Sequence, residues 1–247
     1  MSNQKSQALL FLERLGNISL YQMGGLAAWF GAFAYIIGIT VLVSWLNPLT
    51  HQSLPAEDKL RFLLAHKDLY QAWILLIYVA FGGALVFLVI ALHELLCRYR
   101  NKWLVVGTAF GLIWAGMVIA SGMVATIGLD YSAPIFAIDP EQATILWLSN
   151  NAIHEGLGGG IEMVGGMWVV LMSAAALQAG VLPKAMNYLG LVTGSIGLLT
   201  VIPSFGWLGA GFGVLQIVWF IWIGTQLLQS ESKINLPDMQ PMADLVH

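Results

Sequence analysis

The chain has 247 residues and one cysteine, Cys97. A disulfide within the chain and a Cys-based zinc site are both excluded. Charge is scarce as well. Asp, Glu, Lys and Arg together make up 9% of the residues, against about 25% in a soluble domain. The formal net charge of −3 leaves no basic footprint, so no nucleic-acid partner is expected. The glycine-rich stretch GLGGGIEMVGG carries no Lys and follows no strand pattern, so it is not a phosphate-binding loop. Nucleophile-elbow, P-loop and dinucleotide fingerprints are absent, and no cofactor can be named from the sequence.

In place of charge the chain has apolar length. Hydrophobic residues make up 58% and the mean hydropathy is +0.79. No soluble fold of this size hides so much apolar surface. The uncharged runs are about as long as a bilayer is thick, so the expected class is all-α, a polytopic membrane helix bundle. Six runs qualify as transmembrane helices: 21–46, 70–97, 103–128, 152–178, 184–204 and 207–229. The lipid bilayer is thus the first partner. Residues 1–230 form one transmembrane domain, and 231–247, with two prolines and mixed polarity, reads as a flexible tail.

Between the first two spans, SLPAEDKLRFLLAHKDLY places acids after Pro55 and repeats Leu60, Leu63 and Leu64 on one face. This is the pattern of a short amphipathic interfacial helix. Six spans put both ends on one side. That side would hold Lys5, Arg14, Arg98, Arg100, Lys102, Lys184 and Lys233, and the other Lys59, Arg61 and Lys67. The positive-inside rule assigns both termini to the cytoplasm, in an inner (plasma) membrane. The 129–142 segment, with Asp130, Asp139 and Glu141 and no basic residue, reads as an outer loop.

Glycine is abundant, with 27 residues. Gly24, Gly31 and Gly38 recur every seventh residue, and Gly107/Gly111, Gly190/Gly194 and Gly209/Gly213 form GxxxG pairs. Such faces let helix backbones approach, within the chain or in a homo-oligomer.

The chemistry concentrates in NNAIHEGLGGGIEMVGGMWVV, residues 150–170. On an unbroken helix, at 100° per residue, Glu155, Gly159, Glu162, Gly166, Val169 and Ser173 fall within about 40° of one line. Both carboxylates then share a small-residue face directed into the bundle. Glu155 would sit near the outer headgroups and Glu162 about 10 Å deeper, two turns along. An acid at a helix centre costs roughly 2.5–3.5 kcal/mol on insertion scales and is by default a functional residue. The candidate site is Glu162 with Glu155 and His154, and Gln216 of the sixth span in reach. Its ligand class is a small apolar or cationic molecule, or a proton. A purely structural role for Glu162 would have it bonded to Gln216, Ser121 or Thr126. His154, Glu155 and Asp130 together form a weaker outward-facing alternative, without metal-motif spacing.

The runs GLGGGIEMVGGMWVVLMSAAAL, LPKAMNYLGLVTGSIGLLTVIP, GVLQIVWFIWIGTQLL and GLIWAGMVIASGMVATIGL resemble a bacterial family of six-helix membrane proteins defined by a domain of unknown function. The likeness covers about 103–229 well and the first two spans loosely. It implies a six-span bacterial inner-membrane protein and brings no catalytic residues. The phrase around Glu162 is its most distinctive part.

Overall fold

The computed structural model describes residues 18–51, 53–99 and 101–234. Every regular element in them is helical. Helix α1 is Leu20–Ser44, opened by a capping box in which Ser19 and Gln22 satisfy each other's backbone amides. After one helical turn at Asn47–Thr50 comes α2, Ala56–Ala65. Helix α3 runs Lys67–Cys97 through a widened turn at Leu75–Ala80. Helix α4 is Lys102–Phe136 and α5 is Pro140–His154. Helices α6 (Met163–Ala179), α7 (Lys184–Leu199) and α8 (Leu208–Ile234) complete the chain. The first four residues of the expected tail therefore continue α8, and the remainder lies outside the described residues. So do Lys5, Arg14 and Arg100, three of the basic residues on which the orientation rests.

Five stretches are long and apolar enough to cross a membrane: α1, α3, α4, the Pro140–Ala179 stretch and Leu208–Ser230. Helix α7 has 16 residues, about 24 Å at 1.5 Å each. The helices close into a ring in the order α1, α3, α4, α6, α7, α8 and back to α1. Gly166 and Gly194 make the tightest crossing: a Cβ on Gly166 would lie 2.6 Å from the Gly194 carbonyl oxygen, and one on Gly194 2.5 Å from that of Gly166. The other spaced glycines also pack within the chain, Gly31 on Phe81 and Phe220, Gly111 on Trp168 and Gly190 on Ser173 and Trp219. Helix packing within the chain, one of the two uses expected of these faces, is therefore present.

The expected 129–142 loop is not a loop. Helix α4 continues to Phe136, and Asp139 caps α5 by accepting from the Gln142 amide at 3.0 Å, with Pro140 at the first helical position. At 35 residues, about 52 Å, α4 exceeds the roughly 30 Å hydrocarbon thickness. The α4–α5 hairpin extends past the ring of helices and meets α2 and the start of α3 in a second core of Leu46, Leu60, Leu63, Tyr70, Ile74, Leu129 and Ala143. Lys67 and Asp130 pair across it at 2.5 Å, and Gln71 donates to the same carboxylate oxygen at 2.9 Å.

Candidate functional site

Six aromatic side chains form a closed layer across the ring of helices. Tyr35 of α1 meets Phe81 of α3 at 5.6 Å between centroids, and Phe81 meets Trp114 of α4 at 5.8 Å. Trp114 meets Trp168 of α6 at 5.5 Å, and Trp168 meets Trp219 of α8 at 5.5 Å. Trp219 then meets Phe220 at 5.8 Å, and Phe220 returns to Tyr35 at 6.1 Å. Edge-to-face and tilted pairs at such spacings add to the area buried. Five of the six ring helices contribute to this circuit of contacts, and α7 adds none.

On the α2 side of this layer lies a cavity of about 200 Å³. Its polar or aromatic lining is Tyr35, Trp73, Tyr78, Phe81, Trp114 and Glu162; the rest is aliphatic or glycine, including Gly38, Val118, Gly158 and Gly213. Glu162 is the one carboxylate in that lining, which contains no Lys, Arg or His.

Glu162 reaches this position by a break in the helix, and here the structure departs from the expected unbroken 152–178 span. Directly after α5 the chain widens into a broader turn at Glu155–Gly159, within which Gly158 takes φ +122°, a conformation that L side chains rarely adopt. Helix α6 restarts after Glu162, which stands at its N-cap without using its side chain to cap it. The Glu162 backbone amide donates instead to Thr200 Oγ1 at 2.8 Å, and its carbonyl accepts from the Gly166 amide at 2.8 Å. The carboxylate has no hydrogen-bond partner among the described residues. It is half-buried and reached through the cavity. Widened helical turns of this kind recur at functional sites.

With the helix broken, the shared face of Glu155 and Glu162 does not exist. Glu155 is exposed and accepts from Asn151 Nδ2 at 2.8 Å, outside the cavity lining. His154 is buried, with Nδ1 2.7 Å from Ser121 Oγ, and Ser121 Oγ lies 2.8 Å from the His154 carbonyl oxygen. Tyr78 packs edge-on to the His154 ring at 4.9 Å and donates to the Gly159 carbonyl at 3.4 Å. His154 therefore braces the cavity wall from behind and does not line it. Gln216 is fully buried on α8, its amide nitrogen and oxygen both unpartnered, and it too is outside the lining. None of the structural partners considered for Glu162 is bonded to it: Ser121 is held by His154, and Thr126 Oγ1 and Gln216 have no partner. The alternative grouping of His154, Glu155 and Asp130 is likewise not assembled, because each is engaged elsewhere.

Sequence reasoning missed Tyr35, Trp73, Tyr78 and Trp114. The available signal was tyrosine inside apolar runs, since a buried phenol needs a polar neighbour or a wet surface. Trp73 carries a further mark: its indole N–H is buried without an acceptor.

Comparison with protein-family profiles, with characterised proteins and with solved structures returned no match for this chain.

Proposed function

We propose that this is a six-span integral protein of a bacterial inner membrane that binds a small molecule at Glu162, as a carrier does, and that it belongs with the six-helix family it resembles. In this reading α7 is the sixth crossing, short but placed in the ring between α6 and α8. Helix α2 lies in the outer interface, both termini are cytoplasmic, and the α4–α5 hairpin stands outside the hydrocarbon. The aromatic layer is then the floor of an outward-facing cavity, closed toward the cytoplasm.

The observation that carries the reading is an unpartnered carboxylate at the head of a cavity of about 200 Å³ walled by aromatic side chains. A mostly apolar pocket with a few convergent polar groups is the usual form of a small-molecule site. A purely structural subunit would pack Glu162 dry against protein. A second reading, an enzyme or sensor for a quinone-like or lipidic ligand, draws on the apolar lining.

Thiol labelling tests the cavity. In a Cys97→Ser background, Gly38→Cys places a side chain in ordinary contact with Ile77 on the cavity wall. A small water-soluble maleimide applied from outside is expected to label it, and to label the exposed surface control Ser149→Cys. Labelling of Ser149→Cys alone would overturn the reading. Mass spectrometry of protein purified in mild detergent then identifies any ligand carried with it.

A further inference from the structure

We propose that the cavity takes a small organic ammonium ion without an anionic group, held between the Glu162 carboxylate and the aromatic walls. This rests on the reading of the cavity as a binding site and specifies its ligand.

The charge inventory comes first. With one carboxylate and no Lys, Arg or His in the lining, an anion would enter without compensation. A zwitterion would leave its own carboxylate unpaired beside Glu162. A monocation matches, and it meets a carboxylate that no protein donor occupies.

The kind of cation follows from the remaining walls. Calcium takes six to eight oxygen ligands and magnesium about six in near-octahedral array. Here the side-chain oxygens are one carboxylate and the phenols of Tyr35 and Tyr78. The rest is aromatic or aliphatic, which suits a cation clothed in carbon. Trp73 and four other aromatic side chains line the space. Tyr35, Phe81 and Trp114 belong to the layer that floors the space, and Trp73 and Tyr78 complete its aromatic lining. Aromatic boxes recognise alkylated ammonium groups through the negative faces of their rings.

Size agrees. A cavity of about 150 Å³ accepts benzene, and this one measures about 200 Å³. A quaternary ammonium with a short arm fills it.

The test is calorimetric titration of the full chain in mild detergent with choline, with its neutral isostere 3,3-dimethylbutan-1-ol, and with trimethylglycine, which adds a carboxylate. Choline is expected to bind about tenfold or more tightly than either, as a desolvated cation–aromatic contact plus one ion pair implies. Glu162→Gln is expected to reduce the preference for choline over the neutral alcohol several-fold, leaving the aromatic share, and Glu155→Gln to leave it intact. Equal binding of choline and the alcohol overturns the ammonium assignment while leaving the cavity as a binding site. So does absence of all three ligands with Gly38→Cys still labelled. If Gly38→Cys is also silent, the binding-site reading falls with it. The comparison on the unmodified protein decides the matter even if Glu162→Gln does not fold.

Discussion

The backbone amide of Glu162 donates to the side-chain hydroxyl of Thr200 at 2.8 Å. This single bond ties the restart of α6 to the end of α7. Thr200 Oγ1 lies also 2.7 Å from the Gly197 carbonyl oxygen, so the hydroxyl donates to one backbone and accepts from the other. Because the main chain of Glu162 is held this way, its side chain is left free for the cavity.

Replacing Thr200 by Val removes that acceptor and leaves a half-buried amide unpaired. The expected loss is about 1–3 kcal/mol, and Thr200→Ser should recover most of it. Thermal unfolding in detergent, with Gly38→Cys labelling in parallel, reads both the stability and the cavity wall. A Val variant as stable as the parent would show that the bond does not hold the break.

Gly158 holds φ +122° at the break. Gly158→Ala should cost about 1–3 kcal/mol through backbone strain, although only Val118 comes near the new methyl, at 3.8 Å. Gly156→Ala, two residues earlier with nothing within 4 Å, is the control and should be near neutral. Similar melting temperatures for the two variants would contradict the strained geometry.

At the α6–α7 crossing a methyl on Gly194 would meet the Gly166 carbonyl oxygen at 2.5 Å, and the obstacle is backbone, which cannot swing aside. Gly194→Ala should therefore force the helices apart and lower stability by about 1–3 kcal/mol or more. Gly116→Ala, facing open space on α4, should not. Detergent-solubilised yield and melting temperature distinguish them.

Ser121→Ala takes away the hydroxyl that lies 2.7 Å from His154 Nδ1 and 2.8 Å from the His154 carbonyl. His154 Nδ1 keeps the Ser121 carbonyl oxygen, 3.1 Å away, so a loss of about 0.5–1.5 kcal/mol is expected from the missing hydroxyl. Tyr78 leans on that imidazole, so choline affinity should weaken too, though neither Ser121 nor His154 touches the cavity. Unchanged affinity would mean that the brace is not needed.

The Lys67–Asp130 pair is partly exposed, its side chains 32% and 43% accessible. Lys67→Met should change stability by at most about 1 kcal/mol. A larger drop in melting temperature would show that the hairpin depends on this contact more than its exposure implies.

Much of the architecture was legible in the residues. Apolar length placed the all-helical class and five long apolar stretches; the sixth expected run, 184–204, is a helix of 16 residues. Leu60 and Leu63 of the amphipathic segment are buried, as their spacing required. The acids of 129–142 suggest a loop, whereas the chain there is mostly helix and Asp139–Pro140 is a helix start. Glu162 was singled out by its cost in an apolar run, but its neighbours were assigned by counting around a helix that is not continuous. Gly158, Gly159 and Gly160 were visible, and glycine inside a helical pattern is tolerated often enough that the run alone does not announce a break.

Sequence by itself determined that this chain is a bundle of long apolar helices and that Glu162 is its anomalous residue, since hydropathy and the price of a buried charge are properties of residues taken one at a time. Tertiary structure alone decided that Glu155, His154 and Gln216 stand apart from Glu162, and that Tyr35, Trp73, Tyr78 and Trp114 stand beside it. Those companions come from three other helices, and one residue at φ +122° redirects the acid toward them. No periodicity within a single segment encodes which faces of separate helices will meet.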